Sequence, residues 1–356
     1  MNDLDIYRCA GVLVNPAPIG GGRTGNRISM NQLVPELTKH GIDLFPVISS
    51  STTLFSRGLL RLLRGAHWKM VRFIILNSSA VLRKKESLFI LKIAKQFNIP
   101  VFVYYRESNY QLEKLQESSP EQAARIRLFL KDLYLHIWVN SEFTLHDNAA
   151  NIRGNVTVVH NGVSVDEELL FQSSEYLKLF PPTVIQLATI QELKDWKIFI
   201  ETAKLVIKEI PLAQFIWLGD GAERIRALEK VKSAGLSTNV FFPGFMSNPD
   251  MMFRNAHIFF QTSISESFSL TTAQAMAFGK EIVMFKGVGG AEEVAGGLAD
   301  VINSRDPKLA AKKIIEIFQR APKLRLDMME RYQALYTIER HAKRIAVAIQ
   351  DAVNIR

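Results

Sequence analysis

Two patterns alternate along this chain. Short runs of β-branched, aromatic and aliphatic residues recur at Gly11–Val14, Leu44–Val47, Phe73–Leu76, Val101–Tyr105, Ile137–Val139 and Val156–Val159, and most are separated by stretches with apolar residues three and four apart. Continuous apolar runs predict strands buried on both faces, the longer period predicts helices, and the alternation predicts a parallel sheet with crossover helices. A second series follows at Val184–Leu187, Phe215–Leu218, Val240–Phe242, Ile258–Phe260 and Glu281–Phe285. After Val184–Leu187, the residues Trp196, Phe199, Ile200, Ala203, Val206 and Ile207 fall on one helical stripe. Pro181 and Pro182 close a polar stretch that begins at Ser164 and mark a linker. The expected fold is α/β, with two Rossmann-like doubly wound domains facing an interdomain cleft. The expected boundaries are a first domain over 1–162, a linker over 163–182, a second domain over 183–337, and a final helical segment over 338–356.

Composition narrows the picture. With 356 residues, 47% hydrophobic and 22% charged, the chain has material for two cores and is not disordered. Cys9 is the single cysteine, so neither an intrachain disulfide nor a cysteine metal site can form. The opening MNDLDIYR is acidic and polar where a secretory signal is basic and then apolar, and no apolar run reaches the ~18 residues of a membrane span. A cytoplasmic protein is expected.

The net charge of +9 favours polyanions and is unevenly placed, with eight Lys/Arg and no Asp/Glu between Ser50 and Lys85. On a helix there, Phe55, Leu59, Leu62 and Leu63 share one side and Arg57, Arg61 and Arg64 the other, with Trp68 and Lys69 beyond. An ordinary domain helix has this pattern, and so does a basic amphipathic helix lying on anionic lipid; residues 55–72 are therefore a candidate contact with the inner face of a membrane. No nucleic-acid recognition module accompanies the charge, so no nucleic-acid partner is expected.

Candidate chemistry collects in loops that follow strands, where doubly wound sheets bind ligands. After Gly11–Val14 comes NPAPIGGGRTGNR, in which Gly20, Gly21 and Gly22 would let backbone amides approach a phosphate or sugar, although a plain flexible loop looks the same. Its spacing matches neither the dinucleotide fingerprint nor the Walker loop. After Val184–Leu187, Lys194 and Lys197 open the next helix, where an ammonium can neutralise a departing diphosphate or simply be solvated. Gly219, Asp220 and Gly221 form a turn that either approaches a base or caps its strand. Glu266 follows Ile258–Phe260 by a serine-rich loop, and Gln274, eight positions on, is expected on the same face. A carboxylate accepts hydrogen bonds from sugar hydroxyls, and an amide both donates and accepts. Fifteen residues after Gln274 comes the GGAEEV turn of Gly289–Val294. Asp3-Leu4-Asp5 precedes the first strand and the seven histidines form no ligand-spaced pair, so no metal is expected.

Together the Gly20–Gly22 loop, Arg106-Glu107-Ser108, Asn140-Ser141-Glu142, His160-Asn161-Gly162-Val163, Lys194, Gly219-Asp220-Gly221, Glu266 through Gly279 and Gly289 through Val294 resemble, in order and spacing, the retaining GT-B glycosyltransferases of family four, the glycosyl transferases group 1. The resemblance spans nearly the whole chain. It implies Lys194 on a donor diphosphate, Glu266 on the sugar, and Glu293 with the amides near Gly289 and Gly290 as further donor contacts. Ser267, Phe268, Ser269 and Leu270 lie within the donor motif. The final helix would cross back to the first domain. The implied reaction is hexosyl transfer in polysaccharide or glycolipid synthesis, with same-face attack and no cofactor beyond the nucleotide-diphospho-sugar, UDP- or GDP-linked, and with a glycan or lipid-linked acceptor.

Three positions depart from the family. Thr189 stands where an arginine is frequent, Gln274 replaces a second glutamate that usually binds ribose, and Arg106 replaces a histidine. Arginine cannot act as a base but can bind phosphate. A second reading is accordingly a weakened GT-B subunit that binds nucleotide or glycan for a partner enzyme.

Overall fold

The computed structural model describes residues 9–16, 33–49, 71–77, 79–83, 85–170, 174–320 and 323–354. Gly20, Gly21 and Gly22, and positions 55–70 of the basic segment, lie outside the described residues. The chain divides into two compact units, residues 1–162 with 337–356, and residues 163–336.

Unit 1 holds six parallel strands, β1 (Cys9–Pro16), β2 (Ile42–Ser49), β3 (Phe73–Asn77), β4 (Val101–Tyr105), β5 (Leu135–Val139) and β6 (Asn155–Val158), in the order β2-β1-β3-β4-β5-β6. β3 and β4 are buried at every position, as unbroken apolar runs require. One face is covered by helices that include Glu86–Gln96 and Pro120–Leu130. The other face is closed by the last helix, Ile338–Asn354, whose Ile338, Ala342, Ile345, Ala346 and Ile349 pack with Leu13, Phe73, Phe102, Tyr104 and Trp138.

Unit 2 repeats the plan with β7 (Thr183–Leu187), β8 (Gln214–Leu218), β9 (Val240–Gly244), β10 (Ile258–Gln261), β11 (Glu281–Phe285) and β12 (Asp300–Ile302), ordered β12-β11-β10-β7-β8-β9 and all parallel. Numbered within the unit, this is the 3-2-1-4-5-6 order of a Rossmann sheet. Chain direction across the sheet therefore reverses between β7 and β10, which opens a crevice at their carboxyl ends. The Trp196–Glu209 helix buries Trp196, Phe199, Ile200, Ala203 and Val206, and Phe199 meets Phe215, Trp217, Phe242 and Phe260 ring to ring. Segment 163–170 belongs to this unit, with the Asp166 amide donating to Asp250 at 2.7 Å.

The chain passes between the units after Gly162 and again after Tyr336. Within unit 1, a Cβ on Gly162 would lie 2.6 Å from the Thr337 carbonyl oxygen; within unit 2, the Val163 amide donates to the Tyr336 carbonyl at 2.8 Å. Among the described residues no helix is long and apolar enough to cross a membrane.

Candidate active site

The crevice between β7 and β10 is flanked by two loops. After β7 the chain makes a 3₁₀ turn over Glu192–Lys194, and Asp195 adopts a left-handed conformation (φ 49°) while its side chain accepts from the Ile198 amide to cap the Trp196–Glu209 helix. A short polar side chain that bonds locally tolerates this conformation best, and such strain concentrates at functional positions. Lys194 itself thus lies in the turn before the helix. After β10, residues Thr262–Ser269 form the second loop, and Ser269, also left-handed (φ 78°), caps the Leu270–Ala277 helix by accepting from Thr272.

These loops are stitched together. The Ile264 amide donates to the Leu193 carbonyl at 2.8 Å, and the Thr262 hydroxyl donates to the Lys194 carbonyl at 2.7 Å. At their tips the Lys194 ammonium donates to Glu266 Oε1 at 2.5 Å, and the Ser263 hydroxyl donates to the same oxygen at 2.7 Å. Each side chain of the ion pair is about one-sixth exposed, enough for a ligand to reach both.

Glu266 is fixed from the far side by the third element. It forms a parallel bridge with Gly289, its amide donating to Val288 O at 2.9 Å and its carbonyl accepting from Gly290 N at 2.8 Å. Gly289 sits at φ 78°, ψ −122°, which a side chain would strain. At Gly290 a Cβ would stand 2.2 Å from the Ser267 carbonyl oxygen. Glycine is required at both positions, one for conformation and the other for close approach. The Gly290–Ala295 helix that follows carries Glu293 in its first turn, half-buried.

Other expected residues are placed differently. Gln274 does not share a face with Glu266, because the helix starts only at Leu270 and Glu266 lies outside it; the Gln274 amide is buried and donates to Asp250 Oδ1 at 2.5 Å. Phe268 is buried with its ring edge-on to Tyr336, so its side chain belongs to the core. Ser267 and Leu270 are half-buried. Lys197 points to Glu192 at 3.0 Å on the exposed face, and Thr189 is exposed. The Gly219-Asp220-Gly221 turn packs beneath the loop after β7, since a Cβ on Gly219 would meet Ala188 O at 2.1 Å and one on Gly221 would meet Ile190 O at 2.3 Å. Asp220 itself accepts from the Gly221 amide and, through its carbonyl, from the Ile190 amide.

Arg106 belongs to unit 1. It is buried with its guanidinium 3.7 Å over the Tyr104 ring, and burial lowers its pKa from the ordinary arginine value. The Tyr104 hydroxyl contacts Asn161 Oδ1 at 2.8 Å and His341 Nε2 at 3.3 Å. His341 Nδ1 donates to the His160 carbonyl at 2.6 Å.

Two sets of residues join the site without having been expected there. Gln186 and Gln261, each at or next to the end of its strand, form a buried polar floor: Gln186 Nε2 donates to Gln261 Oε1 at 3.1 Å, and Gln261 Nε2 donates to Ser269 Oγ at 2.9 Å. A lone glutamine in TVIQL and in IFFQ was the available signal, since an amide in a buried strand demands a partner. Arg305, in the loop after β12, is bonded to both Asp195 and the 262–263 backbone, and its position in sequence gave no hint of this. Among the described residues no group of three His, Cys, Asp or Glu side chains is arranged to hold a metal.

Comparison with known proteins gives these features a context. Residues 171–334 match the family described as glycosyl transferases group 1. The poly(glycerol-phosphate) alpha-glucosyltransferase of Bacillus subtilis is 31% identical over 86 residues, 24% of this chain and 13% of that protein. The O-antigen biosynthesis glycosyltransferase WclY of Escherichia coli is 21% identical over 199 residues, 55% of each. The chain thus spans well under two thirds of these relatives. Among solved structures, sucrose-phosphate synthase of Thermosynechococcus elongatus superposes with a TM-score of 0.79 at 18% identity, covering 98% of this chain and 100% of that one. Anabaena HepE in complex with UDP and glucose gives 0.74 at 15%, covering 95% and 98%. Residues 171–334 are thus similar to the glycosyl transferases group 1 family, and the two Rossmann-like units have the GT-B fold.

Proposed function

We propose that this protein is a retaining glycosyltransferase that moves a hexosyl group from a UDP- or GDP-linked sugar to a glycan or lipid-linked acceptor, without a metal ion. The observation that carries this reading is the Lys194–Glu266 pair at the switch point of the unit 2 sheet, backed by the Gly289-Gly290 turn. In the structure the two charges pair with each other. A nucleotide sugar entering there gives the ammonium a diphosphate and the carboxylate the sugar hydroxyls, and amides at the start of the Gly290–Ala295 helix add to the donor contacts.

Chemically, the bond from the anomeric carbon to the diphosphate oxygen breaks and a bond to the acceptor oxygen forms on the same face. The acceptor proton passes to the departing phosphate. Lys194 stabilises the charge that grows on that phosphate, and Glu266 orients the sugar, so catalysis rests on positioning and electrostatics. Arg106 cannot take a proton and is assigned a charge-stabilising role on unit 1. Relatives support the substrate class: HepE is described with UDP-glucose, and Staphylococcus aureus TarM with UDP and alpha-GlcNAc-glycerol.

Turnover of UDP-, GDP- and ADP-sugars, with and without glycan acceptors, tests the reading. Lys194→Ala is expected to cost about 10²-fold or more, the scale of losing one oxyanion-type donor. If the wild-type protein is stabilised by nucleotide yet turns over none of these sugars, the second reading holds, a GT-B subunit that binds nucleotide or glycan for a partner; the exposed Thr189 and the Gln274 amide committed to Asp250 favour it.

We place the protein in the cytoplasm, with residues 55–72 at the inner face of the membrane. Equal sedimentation with neutral and anionic vesicles, or no change when Arg57, Arg61 and Arg64 become glutamate, rejects that placement.

A further inference from the structure

Arg305 does not touch the Lys194–Glu266 pair, yet it is bonded to a neighbour of each member. Nη2 donates to the Asp195 carboxylate at 2.7 Å and to the Thr262 carbonyl at 2.5 Å, and Nη1 donates to the Ser263 carbonyl at 3.0 Å. Its guanidinium carbon lies 4.8 Å from the centroid of the Phe285 ring, which fixes the plane of the fork. Asp195 directly follows Lys194 in sequence. Thr262 holds the Lys194 carbonyl through its hydroxyl, and Ser263 holds the Glu266 carboxylate. One rigid, planar cation therefore joins the two loops whose tips carry the ion pair.

The charge matters as much as the geometry. Asp195 is a carboxylate one residue from the Lys194 ammonium, and its pairing with Arg305 keeps it away from that ammonium. Without Arg305 the Asp195 carboxylate would keep only its bond from the Ile198 amide, and its uncompensated charge beside Lys194 would compete with Glu266 and with any incoming phosphate. Lysine at 305 would place a single point charge where three directed donors are needed.

We propose that Arg305 is a positioning residue: it sets the separation of Lys194 and Glu266 and withholds Asp195 from Lys194. The assignment deepens the donor-site reading above and rests on it for its catalytic consequence, but its structural content can be measured independently.

Competitive acetylation of the intact, ligand-free protein, read by mass spectrometry as the reactivity of Lys194 relative to Lys197, compares wild type with Arg305→Met. Loosening of the pair is expected to change this ratio by about 3-fold or more, with cooperative unfolding retained, because a partly exposed ion pair depends on its surroundings to hold its geometry. Where wild type transfers sugar, kcat is expected to fall about 10-fold to 10²-fold with a smaller change in donor KM, and Arg305→Lys to restore little of it. In a Lys194→Ala background Arg305→Met should cost nothing further, since its effect runs through the lysine. An unchanged reactivity ratio, or a kcat loss fully additive with Lys194→Ala, overturns the proposal. Should the methionine variant fail to fold, Arg305→Gln, which keeps one donor to the loop carbonyls, is judged by the same ratio. Absence of any turnover in wild type overturns the proposed activity, while the labelling ratio still decides the role of Arg305.

Discussion

Gln274 donates its side-chain amide to Asp250, whose other oxygen accepts the Asp166 amide, so one buried carboxylate ties the Leu270–Ala277 helix to the segment that enters unit 2. Burial raises the Asp250 pKa, and the two hydrogen bonds it accepts oppose that rise. A carboxamide suits this partner and a carboxylate does not. Gln274→Glu would set two acids at hydrogen-bond distance, and like charges so placed cannot both ionise. We expect this substitution to destabilise the protein by about 2–4 kcal/mol at pH 8, to cost less at pH 5 where the pair can share a proton, and to be largely rescued by Asp250→Asn. Urea denaturation of the single and double variants checks this; an additive double variant would show that the contact carries no weight.

At the ion pair, Glu266→Gln removes the charge and keeps the shape. It leaves Lys194 with a neutral acceptor, so global stability is expected to change by less than about 1 kcal/mol, as for other partly exposed pairs. Turnover is expected to fall by about 10²-fold or more, because the orienting carboxylate is lost. Chemical denaturation and initial rates measured on the same preparations separate the two effects; a rate close to wild type would remove Glu266 from the mechanism.

Gly290 is governed by backbone that cannot swing aside. A Cβ there meets Ser267 O, Ser267 C and Phe268 N at 2.2, 2.4 and 2.7 Å. Gly290→Ala is therefore expected to cost about 1–3 kcal/mol in overpacking and to disturb the bridge between Glu266 and Gly289. Thermal unfolding measures the first effect and nucleotide-sugar affinity the second, and a variant as stable as wild type contradicts the packing argument.

Two buried histidines should make the protein acid-sensitive. Burial holds His341 down at about 3, with Arg106 adding to the effect, and holds His257 down at about 4, with Lys280 adding to it. His257 is fixed in a neutral form, Nδ1 accepting from the Thr183 amide and Nε2 donating to the Leu177 carbonyl. An unfolded histidine protonates near 6.5, so as pH falls below that value the unfolded chain takes up protons that the native chain refuses. Neither group affects stability above about pH 7.5; between about 6.5 and 4 each removes about 1.4 kcal/mol per pH unit. His341→Asn should flatten the decline between pH 6.5 and 4.5 by about one proton's worth, as read from denaturation midpoints. An unaltered slope would mean that native His341 takes up a proton.

Most of the sheet was legible because the apolar runs within FIILN, VFVYY and EIVMF are rich in β-branched and aromatic residues and too short for helices. The last strand, Asp300–Ile302, was not: three residues, one of them charged, carry no usable period. Lys194 and Glu266 were found from their place after strands, since the fold brings the ends of β7 and β10 together whatever fills them. Periodicity tells which face a residue occupies but not which partner claims it. The turn of Gln274 toward Asp250, and the placing of Phe268 in the core, depend on the helix beginning at Leu270, which Ser269 fixes by its left-handed cap. Arg305 reaches across from the far end of the sheet, a contact that local sequence cannot encode.

The final helix has a further consequence for how the molecule is made. Its Ile338, Ala342, Ile345 and Ile349 complete the hydrophobic cluster of unit 1, while all of unit 2 is encoded before them. Domains fold as units during synthesis, at about 5–20 residues per second. On the ribosome the first half therefore waits with an uncovered sheet face for roughly ten to thirty seconds while unit 2, contiguous in sequence, emerges and closes first. The part of the protein translated earliest is the last to be finished.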